Sequence, residues 1–163
     1  MTSVKAVVAI VAVLGLSACG DDPFGKNKGG SDGITQSNLD PHSIAYFNET
    51  IGDTVLFDVD QSTLNEAGIA LLNQQAEWLL EHPVNSVLIE GHADEQGTRE
   101  YNLALGARRA AAVQSYLVSR GLTDARLRTI TYGKERPLEI CSDEACWSKN
   151  RRSVTVVTGG LGS

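Results

Sequence analysis

The chain has 163 residues, 42% hydrophobic and 21% charged, enough for one compact domain and not comfortably for two. Its formal net charge of −6 and pI near 5.0 repel phosphate backbones and supply no basic stripe, so no nucleic-acid partner is expected.

From the N-terminus, Lys5 precedes an apolar run, Ala6 to Leu16, that gives way to small residues and Cys19. This is the layout of an export signal, and the run is too short to span a bilayer. The alternative, a buried N-terminal helix, lacks an amphipathic period with which to pack. Leu16-Ser17-Ala18-Cys19 resembles a bacterial lipobox, which implies a signal over residues 1–18, cleavage before Cys19 and lipidation of its thiol. Gly20, rather than Asp, after that cysteine implies sorting to the outer membrane, where acylated Cys19 would sit in lipid on the periplasmic face. Three cysteines minus Cys19 leave Cys141 and Cys146, an expected disulfide in an oxidising compartment; two free thiols are the alternative.

The stretch GDDPFGKNKGGSDGITQSNLDPHS is rich in Gly, Asp, Asn and Lys and free of any apolar period. It reads as a flexible tether, so that residues 19–43 are a lipidated N-terminus plus linker and 44–160 a folded domain. In that domain Thr54 to Phe57 reads as a strand, and a Thr63-x-x-Glu66 capping box opens a helix that Pro83 closes. Ile69, Leu72, Ala76, Leu79 and Leu80 are its expected buried stripe. Val87 to Ile89 is a second strand, Glu100 to Arg120 a second helix ended by Gly121, Leu127 to Tyr132 a third strand, and Ser153 to Val157 the last. The order βαβαβ(α)β predicts an α/β (α+β) two-layer sandwich, a mixed four-stranded sheet with two main helices on one face.

On the second helix Asn102, Leu105, Arg109, Val113 and Tyr116 fall within about 80° of one another, and Arg108 lies outside that arc. Arg109 therefore faces the apolar side, where a cation needs an anionic partner. Asp94, in the loop before the helix, is the candidate. The two form either a buried ion pair tying loop to helix or the opposite poles of an open pocket spaced for a zwitterion, with Gly91, Ala93 and Gly97 allowing close approach. Arg151 and Arg152 are expected to be structural, and Glu139 and Glu144 solvated.

The segments GHADEQGTREYNLALGARRAAAVQSYL, VLFDVDQSTL and YGKERP…NRRSV together resemble the peptidoglycan-associated lipoproteins of the OmpA-like domain family, from about Thr54 to Val157. The resemblance implies noncovalent binding of the diaminopimelate residue in peptidoglycan stem peptides. Side chains matching Asp94 and Arg109 would hold its zwitterionic end, and Phe57, Asp58, Asn102 and Leu105 would line or brace the pocket. It also implies TolB and the Tol complex as partners, in a system that couples envelope constriction to division. Cys141 and Cys146 are not required by that pattern.

Two rival readings remain. His92, Asp94 and Glu95 raise a metal-assisted cell-wall hydrolase, but His-x-Asp on one loop offers two ligands at most, and no second histidine stands at helical spacing. Asp58, Asp60, Glu90, Asp94 and Glu95 are candidates for a carboxylate-dependent glycosidase, and no Ser-x-x-Lys or G-x-S-x-G nucleophile is present. A protein-only envelope adaptor is the other rival, although Trp78 and Trp147 read as packing residues. The expected protein is not an enzyme and uses no cofactor or metal.

Overall fold

The computed structural model describes residues 39–159; the signal, Cys19 and most of the expected tether lie outside them. The described chain begins with two short helical pieces, α1 (Ile44–Tyr46) and a π-helical Phe47–Gly52, which the strand and helix periods had not marked. Then follow β1 (Thr54–Leu56), α2 (Glu66–Glu81), β2 (Ser86–His92), α3 (Arg99–Ser119), a 3-10 turn (Asp124–Arg126), β3 (Leu127–Gly133), α4 (Glu144–Asn150) and β4 (Arg152–Thr158). The sheet order is β1-β4-β2-β3. β4 is antiparallel to both β1 and β2, while β2 and β3 run parallel. The expected mixed four-stranded sheet is therefore present, with the last strand inserted between the first two.

The alternation of β4 shows why the sheet has one covered face. Ser153, Thr155 and Val157 are buried, and Val154 and Val156 between them are only half-buried. The buried side meets a core that includes Phe47, Val55, Leu72, Leu79, Ile89, Val113 and Leu117, each side chain contributing roughly 1.5–3 kcal/mol on burial. Gln75 is the polar exception. Its Nε2 donates to Gly52 O at 2.7 Å and its Oε1 accepts from Thr155 Oγ1 at 2.9 Å, so its buried amide is paired at both ends.

Two details of α2 differ from the sequence expectation. The cap is Asn65, whose side chain accepts from Gly68 N–H at 2.9 Å, and not Thr63, because the helix starts at Glu66 and the capping oxygen must lie just before the first turn. Leu72, Ala76 and Leu79 are buried as expected, whereas Ile69 and Leu80 are exposed. At the other end Arg126 donates to the carbonyls of Leu79 and His82, which the last turn leaves without helical partners, and to that of Asn85 in the following loop. Residues assigned to the end of the tether also dock here: Trp78 Nε1–H donates to Pro41 O at 2.7 Å, and the rings of His42 and His82 share a 3.0 Å hydrogen bond.

The packing of α3 on β2 sets up everything that follows. A Cβ on Gly91 would lie 1.9 Å from Gly106 O, and one on Gly106 would lie 2.5 Å from Thr131 Oγ1 and 2.8 Å from Gly91 O. Helix and strand thus touch backbone to backbone at this glycine pair, an approach no larger residue permits. Immediately after Gly91 the register with β3 slips, so that His92 stands beside Gly133, and the carbonyl of His92 turns toward the helix.

Candidate functional site

Arg109 lies three residues beyond Gly106, on the face of α3 that the helical wheel assigns to the core. Asn102, Leu105, Arg109 and Val113 are all buried and Arg108 is exposed. Arg109 is 0% exposed. Its guanidinium is held by backbone carbonyls: Nε donates to Gln61 O at 2.8 Å, Nη1 to His92 O at 2.8 Å and Nη2 to Asp58 O at 3.2 Å. The Phe57 ring lies under it, 5.2 Å from the guanidinium carbon. Two of these carbonyls belong to the loop after β1, which turns through an Asp58 O to Gln61 N–H bond of 3.1 Å and a left-handed Asp60, φ 58°. Asp accepts that conformation more readily than most residues. The Tyr101 hydroxyl donates to the Asp60 carboxylate and ties the same loop to the start of α3.

Burial lowers the Arg109 pKa to about 10, an effect that the negative charge of Asp94 opposes and the positive charge of Arg151 reinforces. Arg109 is therefore a charged guanidinium at neutral pH, close enough to Asp94 to feel its field. Asp94, however, is bonded elsewhere. It is 7% exposed; one oxygen accepts from the Gln96 N–H at 3.1 Å, and the other lies 3.3 Å from Arg151 Nη1. Of the two alternatives for Asp94 and Arg109, the direct ion pair is replaced by an Asp94–Arg151 pair, with Arg109 satisfied by neutral carbonyls beside it. The cation is also covered rather than lining an open cavity: a cleft of about 300 Å³ near Tyr46, Trp78 and Glu81, and another beside β1 at Asn65 and Leu71, both lie away from Arg109 and Asp94.

Arg151, read from sequence as merely structural, is the residue that completes this centre. It is 4% exposed. Its Nε donates to Phe57 O at 3.2 Å, and its two Nη atoms bind the Glu144 carboxylate as well as Asp94. Glu144, expected to be solvated, is exposed yet engaged. Its hydrogen bond, ahead of that of Asp94, raises the Arg151 pKa, and the reciprocal bond lowers that of Glu144. The 57-residue separation of Arg151 from Asp94 gave no local signal that the two meet.

The remaining candidates fall into supporting places. Asn102 is buried and its Nδ2 donates to Gln96 O at 2.7 Å, bracing the Asp94 loop, while its Oδ1 has no protein partner. Leu105 is buried beside it on α3, and the Asp58 side chain is exposed while its carbonyl serves Arg109. Lys134 donates to Glu95 O and Gly97 O and clamps the same loop from β3's end. His92 is 2% exposed, and neither ring nitrogen has a hydrogen-bond partner. Burial first, and then Arg152, lower its pKa to about 4. It is a neutral, ring-packed residue against Tyr132. Among the described residues the cluster of three metal-ligating groups is Cys141, Asp143 and Cys146, not the His92 loop, and its two sulfurs are joined in the expected disulfide.

A buried pair of arginines meeting a loop carboxylate at one end of a βαβαβ(α)β sandwich defines the class: an α+β domain whose charged centre is built where β2, α3 and the loop after β1 converge. Comparison with known proteins is specific. The model of the OmpA family matches residues 56–151. The chain is 48% identical over 157 residues to the peptidoglycan-associated lipoprotein of Rhizobium meliloti, spanning 96% of this chain and 89% of that one. It is 44% identical over 161 residues to the protein of that name in Mesorhizobium japonicum, spanning 98% and 95%. The crystal structure of the peptidoglycan-associated lipoprotein from Burkholderia pseudomallei superposes with a TM-score of 0.67 at 40% identity, covering 73% of this chain and all of that one. The chain belongs to the OmpA family, among the peptidoglycan-associated lipoproteins.

Proposed function

We propose that this protein anchors the outer membrane to the cell wall by binding peptidoglycan noncovalently. The lipids on Cys19 would hold it in the outer membrane, residues 19–43 would span the gap, and the domain would grip the diaminopimelate residue of a stem peptide. The observation that carries this reading is the juxtaposition of a buried, charged Arg109 with the carboxylate of Asp94. Three of the five guanidinium N–H groups are spent on carbonyls, leaving two for a carboxylate. Asp94 supplies the opposite pole for an ammonium. The Phe57–Gln61 loop and Tyr101 lie about the cation, so access of a ligand carboxylate to Arg109 would require that loop to move. Phe57, Asp58, Asn102 and Leu105 line or brace the same place.

The site would clamp without chemistry: His92 is buried and neutral, and the carboxylate beside Arg109 is paired with a second arginine. By family likeness the partners are TolB and the Tol complex, with a role in constriction at division. Purified protein incubated with peptidoglycan should sediment with it, be released by free meso-diaminopimelate and liberate no soluble wall fragments. Fragment release would favour a hydrolase, and indifference to diaminopimelate a protein-only adaptor. Cys19→Ser should move the protein from the membrane fraction to the soluble periplasm; continued membrane fractionation would remove the lipid anchor from the account.

A further inference from the structure

The Arg151 guanidinium is shared unequally between its two carboxylates. Both Nη atoms bind Glu144, one of them at 3.2 Å, whereas Asp94 receives a single contact from Nη1 at 3.3 Å. Charge-assisted N–H···O bonds ordinarily run near 2.7–2.9 Å, and a guanidinium prefers to meet a carboxylate with two parallel bonds. Asp94 therefore holds the weaker share, with an oxygen less than fully engaged. Arg151 itself cannot drift far. Its backbone N–H donates to Trp147 O at 3.0 Å, its carbonyl accepts from Phe57 N–H at 2.9 Å, and Nε is fixed on Phe57 O. The freedom that remains is a small pivot of the whole planar guanidinium about its Nε contact, which carries the Nη fork toward one carboxylate or the other.

The Glu144 side chain is 62% exposed, and a surface glutamate ordinarily samples many rotamers. Here its backbone is fastened on every side. It opens α4, which Asp143 caps through Ala145 N–H at 2.8 Å and Cys146 N–H at 3.3 Å. The Cys141–Cys146 disulfide closes the turn around it. Asn150 Oδ1 accepts from Leu138 N–H and Glu139 N–H, and Lys149 pairs with Glu139 at 2.6 Å, so the two ends of the segment are laced together.

We propose that Glu144, mounted on the disulfide-closed turn, is a positioning residue: it draws Arg151 into a two-bond grip on itself and so leaves Asp94 able to accept a cationic group of a ligand. This rests on the proposed role of Asp94 as the ammonium-accepting pole. Without Glu144 the Arg151 fork turns onto Asp94, and a ligand ammonium must then displace it. Loss of the disulfide frees the turn and produces the same change in smaller measure.

The test uses the full-length protein in detergent, with sedimentation on diaminopimelate-containing peptidoglycan as the readout. Free meso-diaminopimelate and 2-aminopimelate, which lacks one ammonium, are the competitors. Glu144→Gln should weaken sedimentation about fivefold, the scale of one partly exposed ion pair, and narrow the preference for diaminopimelate over aminopimelate. Glu144→Asp should restore part of both. Cys141→Ser/Cys146→Ser should shift them in the same direction by less, and Glu144→Gln should add nothing in an Asp94→Asn background. A Glu144→Gln protein with wild-type binding and wild-type preference overturns the proposal alone, as does one whose binding falls with the preference intact, the mark of a merely structural role. A double serine variant identical to wild type removes the disulfide from it. Wild-type protein that fails to sediment overturns the functional reading, and this one with it.

Discussion

Arg109 and Arg151 are neighbouring cations, both almost wholly buried, that are stabilised in opposite ways. Arg109 is surrounded by three carbonyl oxygens from two segments and keeps its full charge. Arg151 is bound by two carboxylates and is locally neutralised. The distinction matters because backbone dipoles stabilise a buried cation without cancelling it, while an ion pair removes the net charge that an incoming anion would sense. On the proposed function, the first arrangement would suit a ligand carboxylate, and the second would set how much of Asp94 is left for an ammonium.

Mutation should separate the two centres. The largest expected effect is on stability. Arg109→Ala leaves the carbonyls of Asp58, Gln61 and His92 facing a cavity and should cost about 3–5 kcal/mol, read by urea denaturation, with wall binding lost alongside. A loss below about 1 kcal/mol would mean that the carbonyl cage is not what holds this end of the fold together. Asp94→Asn should divide differently. It keeps the shape of the side chain, and Glu144 still holds Arg151, so the fold should lose no more than about 1–2 kcal/mol while peptidoglycan binding drops at least about tenfold. Equal binding by wild type and this variant would dissociate Asp94 from the ligand altogether.

A third expected effect is a pH slope. The His92 pKa falls from 6.5 to about 4 on folding, so between those values the unfolded chain binds a proton that the folded chain refuses. Stability therefore drops as pH falls through that window, by at most about 3 kcal/mol. His92→Gln should flatten this part of a pH series of urea melts, and an unchanged slope would show that His92 is not the group responsible. The link to the comparison is direct, since the carbonyl of His92 is one of the three that cage Arg109.

The elements of this protein were largely legible because their signals are local. The 3.6-residue period of α3 placed Arg109 and Asn102 inside and Arg108 outside, as the burial pattern bears out, and the alternation over Ser153 to Val157 marked β4 as a strand, although its fully buried side is that of Ser153, Thr155 and Val157 and not that of Val154 and Val156. Errors arose where a signal was short or degenerate. The Thr63-x-x-Glu66 spacing pointed to Thr63 where Asn65 caps α2, and the turn from Ile44 to Gly52, packed around Phe47, had no clean period to announce it. At the site, Asp94 and Arg109 stood out as a carboxylate in a small-residue loop and a cation on an apolar face, both readable within a few turns of chain.

What sequence alone determined, then, was which charges are anomalous, since burying an ionised group on an apolar face is costly wherever it occurs. What only the tertiary structure decided was which charge meets which. Arg151 reaches Asp94 across 57 residues because β4 inserts between β1 and β2, and Arg109 meets the carbonyl of His92 because two glycines let α3 rest on β2. Pairing of this kind depends on strand order and interlayer distance, which are set by the whole packed chain and are written in no single stretch of it.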